Sequence, residues 1–202
     1  MTTVDQVLAR ARLALDRGTP YWLGAGGTDP RTPLPSTPVH VAAAWAASTP
    51  DKRAELAPLA AAMGIDVHNP NLILDACDCS GFVCWALGFS RTAPSAQPYT
   101  TADGSIYTDS IYHDACGPAV RFKRMRTARP GSLVVYPSHP PLEKYGHIAI
   151  VIEADDQGNA TRIIHCSKDN VTGSPHDAIK VTAPTAFAAN EQSVYAWCRD
   201  VD

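Results

Sequence analysis

Hydrophobic and polar residues follow two different periods along the chain. In several segments before residue 89, apolar residues recur every three or four positions, which is the spacing of a helix with one buried face. Thr3 and Gln6 form a capping-box pattern at the start of the first such segment, and Gly18 stops it. The predicted helices are 3–17, 39–47 and 79–87. A further helix is predicted to begin at Thr49-Pro50-Asp51 and to end at Gly64.

The later part of the chain is typical of β-structure, because short runs of β-branched and aromatic residues alternate there with turn residues. Helices followed by strands indicate an α+β domain, and the length suits a single domain, 1–202. Residues 90–129 show no clear period and receive no assignment. The predicted strands form an antiparallel meander and are 133–136, 147–153, 162–166, 178–181 and 194–197.

A loop at 75–78 leads into the helix that begins at Cys79. Asp78 is suited to cap that helix, and Gly88 is suited to end it. The unpaired N–H groups and the positive dipole of a helix N-terminus favour an anion, so we expect the Cys79 thiol to ionise more readily than a free thiol. The same N–H groups can stabilise the oxyanion that forms when a thiolate attacks an acyl carbon. The alternative is that Cys79 is a small buried apolar residue.

Two histidines are predicted to meet on neighbouring strands. Residues 155–159 are turn formers and predict a hairpin between the strand that begins at His147 and the strand that carries His165. If the hairpin is centred near Gln157, residue 165 lies opposite residue 149, and alternation places 147, 149 and 165 on one face of the sheet. The two imidazoles would then be diagonal neighbours, as a base and the residue that orients it need to be.

Three segments together resemble a known family. Residues 78–83, DCSGFV, resemble the nucleophile motif of the NlpC-type (NlpC/p60) cysteine peptidases, bacterial enzymes that cut the peptide stems of peptidoglycan. Residues 18–24 resemble the Tyr-containing, Gly-rich motif of that family, and 130–136 with 146–151 resemble its strand and catalytic-histidine segment. The order along the chain is also the same. The resemblance implies a papain-like fold in which the Cys helix and other helices pack on a C-terminal antiparallel sheet.

The resemblance also implies the roles of the site residues. Cys79 would be the nucleophile, His147 the base and His165 the third member of a Cys-His-His triad. From the loop that follows His165, Asp169 or Asn170 could orient His147 in the same way, and that alternative stays open.

Tyr21, Asp78 and Ser80 are candidates for binding the substrate or an oxyanion. The resemblance implies that Tyr21 borders Cys79, where its hydroxyl could orient substrate, although a core aromatic residue with a polar tip is an equal alternative. Compact members of the family have less chain between the first two motifs. Residues 28–70 are therefore interpreted as a helical insertion that shapes specificity.

Charge and composition limit the expected partners. The net charge of −3 gives no general attraction to nucleic acid or to an anionic membrane surface. No segment reaches the ~20 apolar residues that span a bilayer, and the start of the chain lacks the pattern of a secretory signal. We therefore expect synthesis in the cytoplasm and action in the periplasm or cell wall after export by an unconventional route. The cysteines lack metal-ligand spacing, so free thiols, no metal and no organic cofactor are expected.

These observations predict a cysteine peptidase or amidase that hydrolyses an amide bond in peptidoglycan stem peptides through an acyl-enzyme on Cys79. The narrower hypothesis is a cell-wall-degrading effector or a phage-type lysin, with an inhibitor or immunity protein as a further partner. Two alternatives stay open: an acyltransferase that uses the same triad, and a non-catalytic module that binds the cell wall.

Overall fold

The computed structural model describes residues 2–140, 144–171 and 176–202. Its α-helices are α1 (Val4–Leu13), α2 (Val41–Ala46), α3 (Pro50–Ala62), α4 (Cys79–Leu87), α5 (Thr108–Cys116) and α6 (Thr185–Ala188). Its strands are β1 (Thr37–His40), β2 (Ile73–Ala76), β3 (Phe122–Met125), β4 (Leu133–Tyr136), β5 (His147–Ala154), β6 (Ala160–Cys166), β7 (Ile179–Thr182) and β8 (Val194–Cys198). Among these residues, no helix combines the length and the apolar character that crossing a bilayer requires.

The strands form two sheets. The larger sheet is antiparallel and has the order β3-β8-β4-β5-β6-β7, and β1 pairs with β2 in a separate ribbon. The predicted α+β class is confirmed, and β4 to β7 form the predicted meander. The position of β8 differs from the prediction, because this strand returns across the sheet to pair with β4, with Leu133 opposite Ala196. The local pattern of a strand does not specify its partner, so the sequence did not predict that β8 pairs with β4.

The capped helix starts were predicted correctly. Thr3 and Gln6 exchange capping-box hydrogen bonds at the start of α1, and the Thr49 hydroxyl accepts from the N–H of Lys52 at the start of α3. Each of these interactions spans three residues, so the local sequence is enough to specify it.

The lengths of several elements differ from the prediction. The first helix ends at Leu13 rather than 17, and residues 37–40 form β1 instead of beginning a helix. The loop predicted at 75–78 overlaps the end of β2, since Asp75 and Ala76 belong to that strand and pair with β1. The unassigned region 90–129 contains α5 and β3. Four-residue strands are too short to show a period of their own, and their stability comes from a distant partner.

The helix that carries Cys79 lies at the centre of the molecule. Every residue of α4 is buried, and the helix packs on the sheet face that presents Ile148, Ile150 and Ile164. The opposite face belongs to a second, smaller buried cluster that includes Phe187 of α6. The Cys helix therefore packs on an antiparallel sheet, as the predicted papain-like arrangement requires.

Glycines allow the loop 24–27 to pack directly on the first turn of α4. Gly27 has φ +70°, and a Cβ added there would lie 2.3 Å from the carbonyl oxygen of Gly81. A Cβ added at Gly81 would in turn lie 2.5 Å from the carbonyl oxygen of Ala25. This backbone contact joins the first predicted motif to the second.

We expect Gly81→Ala to destabilise the protein although alanine is the better helix former. Propensity alone favours alanine in a helix by about 1 kcal/mol, whereas overpacking against backbone typically destabilises by about 1–3 kcal/mol. Urea denaturation of Gly81→Ala should therefore show a lower free energy of unfolding. The matched control is Ala61→Gly at an exposed position of α3, where alanine should be the more stable residue. A gain of stability in Gly81→Ala would contradict the close backbone contact.

Candidate active site

Asp78 organises the start of α4. Its Oδ1 accepts a hydrogen bond from the N–H of Gly81 at 2.7 Å, so the predicted helix cap is present. Its Oδ2 accepts from the N–H of Gly24 at 2.7 Å, and both oxygens accept from the Arg91 guanidinium at 3.2 Å. At the other end of the helix Gly88 is left-handed, with φ +87°, as the sequence indicates.

Arg91 is the buried counter-ion of this carboxylate. Its guanidinium also donates to the carbonyl oxygen of Ala25 at 2.7 Å and to the Ser80 hydroxyl at 3.0 Å. Burial alone would lower the pKa of Arg91, but the charge of Asp78 and its hydrogen bonds oppose burial, and the pKa is raised above its usual value. Sequence reasoning missed this residue, since a single arginine after an apolar helix has no local signature.

The side chains of Asp78 and Ser80, two candidates for binding substrate or an oxyanion, are hydrogen-bonded to each other and to Arg91. The Asp78 oxygens are occupied by the cap and by Arg91, and the Ser80 hydroxyl donates to Asp78 at 3.1 Å while it accepts from Arg91. Both side chains are therefore engaged inside the protein. The N–H groups of Cys79 and Ser80 are different, because neither has a hydrogen-bond partner in the described part of the chain.

The Cys79 side chain is buried at the point where α4, α5 and β5 meet. Its Sγ lies 3.6 Å from the Thr108 hydroxyl, and it accepts from the backbone N–H of Ile148, the residue after His147. Burial raises the pKa of the Cys79 thiol to about 12, with Asp78 adding to the effect and Thr108, Arg91 and the Ile148 N–H opposing it. The expectation that this thiol ionises more readily than a free one was therefore wrong for the unliganded site. Removal from water outweighs the helix N-terminus.

His147 and His165 form the pair that the hairpin register predicts. Ile150 pairs with Ile164, which is the register that sets residue 149 opposite residue 165. His147 Nε2 lies 2.7 Å from His165 Nδ1, and His165 Nε2 lies 3.0 Å from the Thr182 hydroxyl on β7. The three side chains thus form one hydrogen-bonded row across β5, β6 and β7.

Both imidazoles are held in the neutral form. Burial, with His165 and Lys168 adding to it, lowers the pKa of His147 to about 3, and burial lowers the pKa of His165 to about 4. The ring of Phe187 stacks on that of His147 with centroids 5.3 Å apart and an interplanar angle of 21°. Sequence reasoning found neither Thr182 nor Phe187, which lie on later elements and show no motif.

Neither of the other two candidates for the third position contacts His147. The Asn170 amide donates to the carbonyl oxygens of His165 at 3.3 Å and Ala178 at 2.9 Å. Asp169 lies in the short 3₁₀-helix Lys168–Asn170, where its backbone N–H donates to the Ser167 hydroxyl. The geometry therefore favours His165 as the partner of His147.

Tyr21 lies between two adjoining recesses. The Cys recess, of about 500 Å³, contains Cys79 and Thr108, and the His recess, of about 550 Å³, contains His147 and His165. Tyr21 is held there by a parallel bridge to Cys77, and it lines both recesses. Burial raises the pKa of Tyr21 well above its usual value, and Cys79 and Asp78 add to that effect. The residues that both recesses share are Tyr21, Leu23, Lys144, Tyr145 and Gly146.

The cysteines are free thiols, and all except Cys116 are buried. Within the residues that the structure describes, no three His, Cys, Asp or Glu side chains come together as a metal site would require.

Comparison with known families agrees with the group that the motifs indicate. Residues 74–168 match the CHAP domain, and CHAP domains belong to the NlpC/p60-like group of cysteine peptidases and amidases that act on peptidoglycan. The predicted resemblance is confirmed at the level of this group. The matched segment contains Cys79, His147 and His165, whereas Tyr21 precedes it. None of the curated proteins compared with the chain matches it.

Two solved structures are similar to the chain at low identity. One is "The crystal structure of Ly7917", with 14% identity, a TM-score of 0.37, and coverage of 98% of this chain and 63% of that one. The other is "The crystal structure of Ly7917 with the hydrolyzing product of MDP", with 15% identity, a TM-score of 0.39, and coverage of 96% and 62%. The chain therefore spans a little under two thirds of the length of these structures.

We expect the imidazoles of His147 and His165 to stay neutral in mildly acidic solution. A free imidazole is half protonated near pH 6.5, whereas His147 and His165 have pKa values of about 3 and about 4. Imidazole ¹⁵N NMR of the folded protein, assigned with His147→Gln and His165→Gln, should show neither ring titrating between pH 7 and pH 5. The unfolded chain does bind these protons in that range, so the free energy of unfolding should fall as the pH falls. Titration of either ring near pH 6.5 would contradict the burial of the pair.

Proposed function

We propose that the chain is a cysteine hydrolase that cleaves an amide bond in peptidoglycan stem peptides through an acyl-enzyme on Cys79. The observation that carries the proposal is the 2.7 Å hydrogen bond between His147 and His165, on a strand whose next N–H group faces Cys79 Sγ. The CHAP match to residues 74–168 supports the substrate class.

The two hydrogen bonds are compatible with either of two tautomer sets, and the proposed chemistry uses one of them. In that set His147 Nε2–H donates to His165 Nδ1, and His165 Nε2–H donates to the Thr182 hydroxyl. Nδ1 of His147 is then the ring nitrogen left to accept the Cys79 proton. His165 acts by fixing the orientation and tautomer of the base, as the third member of a triad does.

Proton transfer accompanies attack rather than preceding it. With the thiol pKa raised and the imidazole pKa lowered, the resting pair is a neutral thiol and a neutral imidazole. When a substrate carbonyl enters, Cys79 Sγ attacks its carbon while His147 takes the thiol proton, and the carbonyl oxygen becomes an oxyanion. The N–H groups of Cys79 and Ser80 at the start of α4 are in position to donate to that oxygen.

The remaining steps return the site to its starting state. The His147 imidazolium protonates the leaving amine, the carbon–nitrogen bond breaks, and a thioester on Cys79 remains. Water then attacks the thioester while His147 takes its proton, and the proton passes to the Cys79 sulfur as the acid product leaves. Tyr21, at the junction of the two recesses, is proposed to orient the substrate.

We further propose one catalytic domain over 1–202, with 28–70 as an insertion. The pairing of β1 with β2 brings the start of this segment beside the strand that leads into Cys79, which supports a unit added between the two motifs. Lys52 of its helix α3 and Thr49, which caps that helix, line the Cys recess. An added segment beside a site is suited to selecting substrates.

Incubation of purified muropeptides with the protein should yield new fragments whose masses identify the cleaved amide bond. Cys79→Ala removes the nucleophile and should abolish the fragments, with a loss of at least about 10³-fold in rate. Mass spectrometry provides the measurement, and circular dichroism checks that the variant is folded. Cys116→Ala, at an exposed thiol, is the matched control and should retain full activity.

The same digestion separates the two rival functions. If an added amine outcompetes water and appears in the product, the chain is an acyltransferase. If muropeptides bind but no fragments form with the wild type, the chain is a binding module and the hydrolase proposal fails.

The proposed substrate lies outside the cytoplasmic membrane, so the proposed place of action is the periplasm or the cell wall. Expression in a bacterium with a periplasmic targeting signal should cause lysis, and expression without the signal should be harmless. Cys79→Ala should be harmless in both compartments. Equal tolerance of the wild-type protein in both would count against a wall-degrading effector or lysin, whereas suppression of lysis by a co-expressed protein would identify the proposed inhibitor or immunity partner.

A further inference from the structure

Two ion pairs connect one face of α3 to the segments next to the strands that carry His147 and His165. Asp51 pairs with Lys144 at 3.2 Å, and Glu55 pairs with Lys168. Lys144 precedes β5, which begins with His147, and Lys168 follows β6, which carries His165. The helix therefore spans the two strands of the histidine pair, and its two cleft-side carboxylates are both neutralised.

Lys52 lies between those two carboxylates on the same helix but joins neither ion pair. Its side chain is half-buried and lines the Cys recess together with Cys79. The ammonium rests against the backbone of Gly24, since a Cβ built there would lie 3.3 Å from Lys52 Nζ. Within the described residues, no hydrogen bond or ion pair engages this ammonium. Burial lowers the pKa of Lys52, and the attraction of Asp78, which is itself paired with Arg91, does not outweigh it.

The other Asp and Lys side chains that line the Cys recess already have partners. Asp78 is compensated by Arg91, and Lys144 by Asp51. Asp109 accepts from both the backbone N–H and the hydroxyl of Ser138, at 2.8 Å and 2.5 Å. Lys52 is therefore the cation of the described lining that has no ion-pair partner and can bind an anionic group of the ligand.

We propose that Lys52 binds a free carboxylate of the substrate and so selects stem peptides that carry an acidic group near the cleaved amide. The proposal rests on the proposed function and specifies its substrate class. A partly desolvated ammonium forms a strong charge-assisted hydrogen bond with a carboxylate, whereas a carboxamide of the same shape offers only a neutral acceptor. The cost of half-burying Lys52 is offset only when the anion arrives, so the contact discriminates between substrates.

The test compares two stem peptides that differ in one group, in which the carboxylate nearest the cleaved bond is free or is converted to a carboxamide. Wild-type kcat/KM should favour the carboxylate by about tenfold or more, the range of a hydrogen bond to a charged group. Lys52→Gln should reduce this preference to within about twofold, mainly by slowing cleavage of the acidic peptide, and Lys52→Arg should retain it. Lys123→Gln, an exposed lysine on β3 outside the cleft, is the matched control and should behave as the wild type. An undiminished preference in Lys52→Gln, or no preference in the wild type, would overturn the proposal.

A binding measurement keeps this test independent of turnover. Isothermal titration of the same two peptides into Cys79→Ala should show the acidic peptide binding about tenfold more tightly, and Cys79→Ala with Lys52→Gln should show no difference. If the wild type cleaves neither peptide while this selectivity is present, the hydrolase proposal fails and the Lys52 site stands. Equal affinity for the two peptides, or no binding of either, would overturn the Lys52 site.

Discussion

The buried ion pair of Asp78 and Arg91 is the interaction on which the geometry of the site depends. Asp78 precedes α4 and Arg91 follows it, so the pair encloses the helix that carries Cys79. The same two side chains bind the N–H of Gly24 and the carbonyl oxygen of Ala25, which holds the Gly-rich loop against the first turn. Two charges this deeply buried are tolerated only when each satisfies the other. The loop, the helix start and the neighbouring Tyr21 therefore keep a single arrangement.

Burial disfavours the charged forms of the two side chains proposed to react, Cys79 and His147. The apolar surroundings that strengthen the Asp78 pair also raise the pKa of Cys79 and lower that of His147. Thr108 and the Ile148 N–H face the sulfur and favour its anion, but they do not outweigh desolvation. Cys79 and His147 are consequently neutral at rest, and in the proposed reaction they become charged only as a bond forms. The row from His147 through His165 to Thr182 fits this proposal, because it orients the proposed base without adding a charge.

The cleft is completed by a helix that is remote in the chain from the strands that carry the two histidines. Two ion pairs connect α3 to the segments next to β5 and β6, and Leu56 and Leu59 on its buried side belong to the main hydrophobic core. Exposed ion pairs contribute little to stability, commonly ~0–1 kcal/mol, so the apolar contacts are the main support of the helix. The Lys52 ammonium lines the Cys recess from this supported helix.

The sequence by itself determined the features whose partners are close in the chain. The Thr3 and Gln6 box, the Thr49 and Asp78 caps and the Gly88 helix end each join residues within a few positions. The histidine pair was also predictable, because a short turn centred on Gln157 sets the register of its hairpin. Only the tertiary structure decided which strand β8 pairs with, that Arg91 meets Asp78, and that Thr182 and Phe187 meet the histidines. It also reversed the expected acidity of Cys79, since a helix dipole acts over one turn while desolvation depends on every element packed around the thiol.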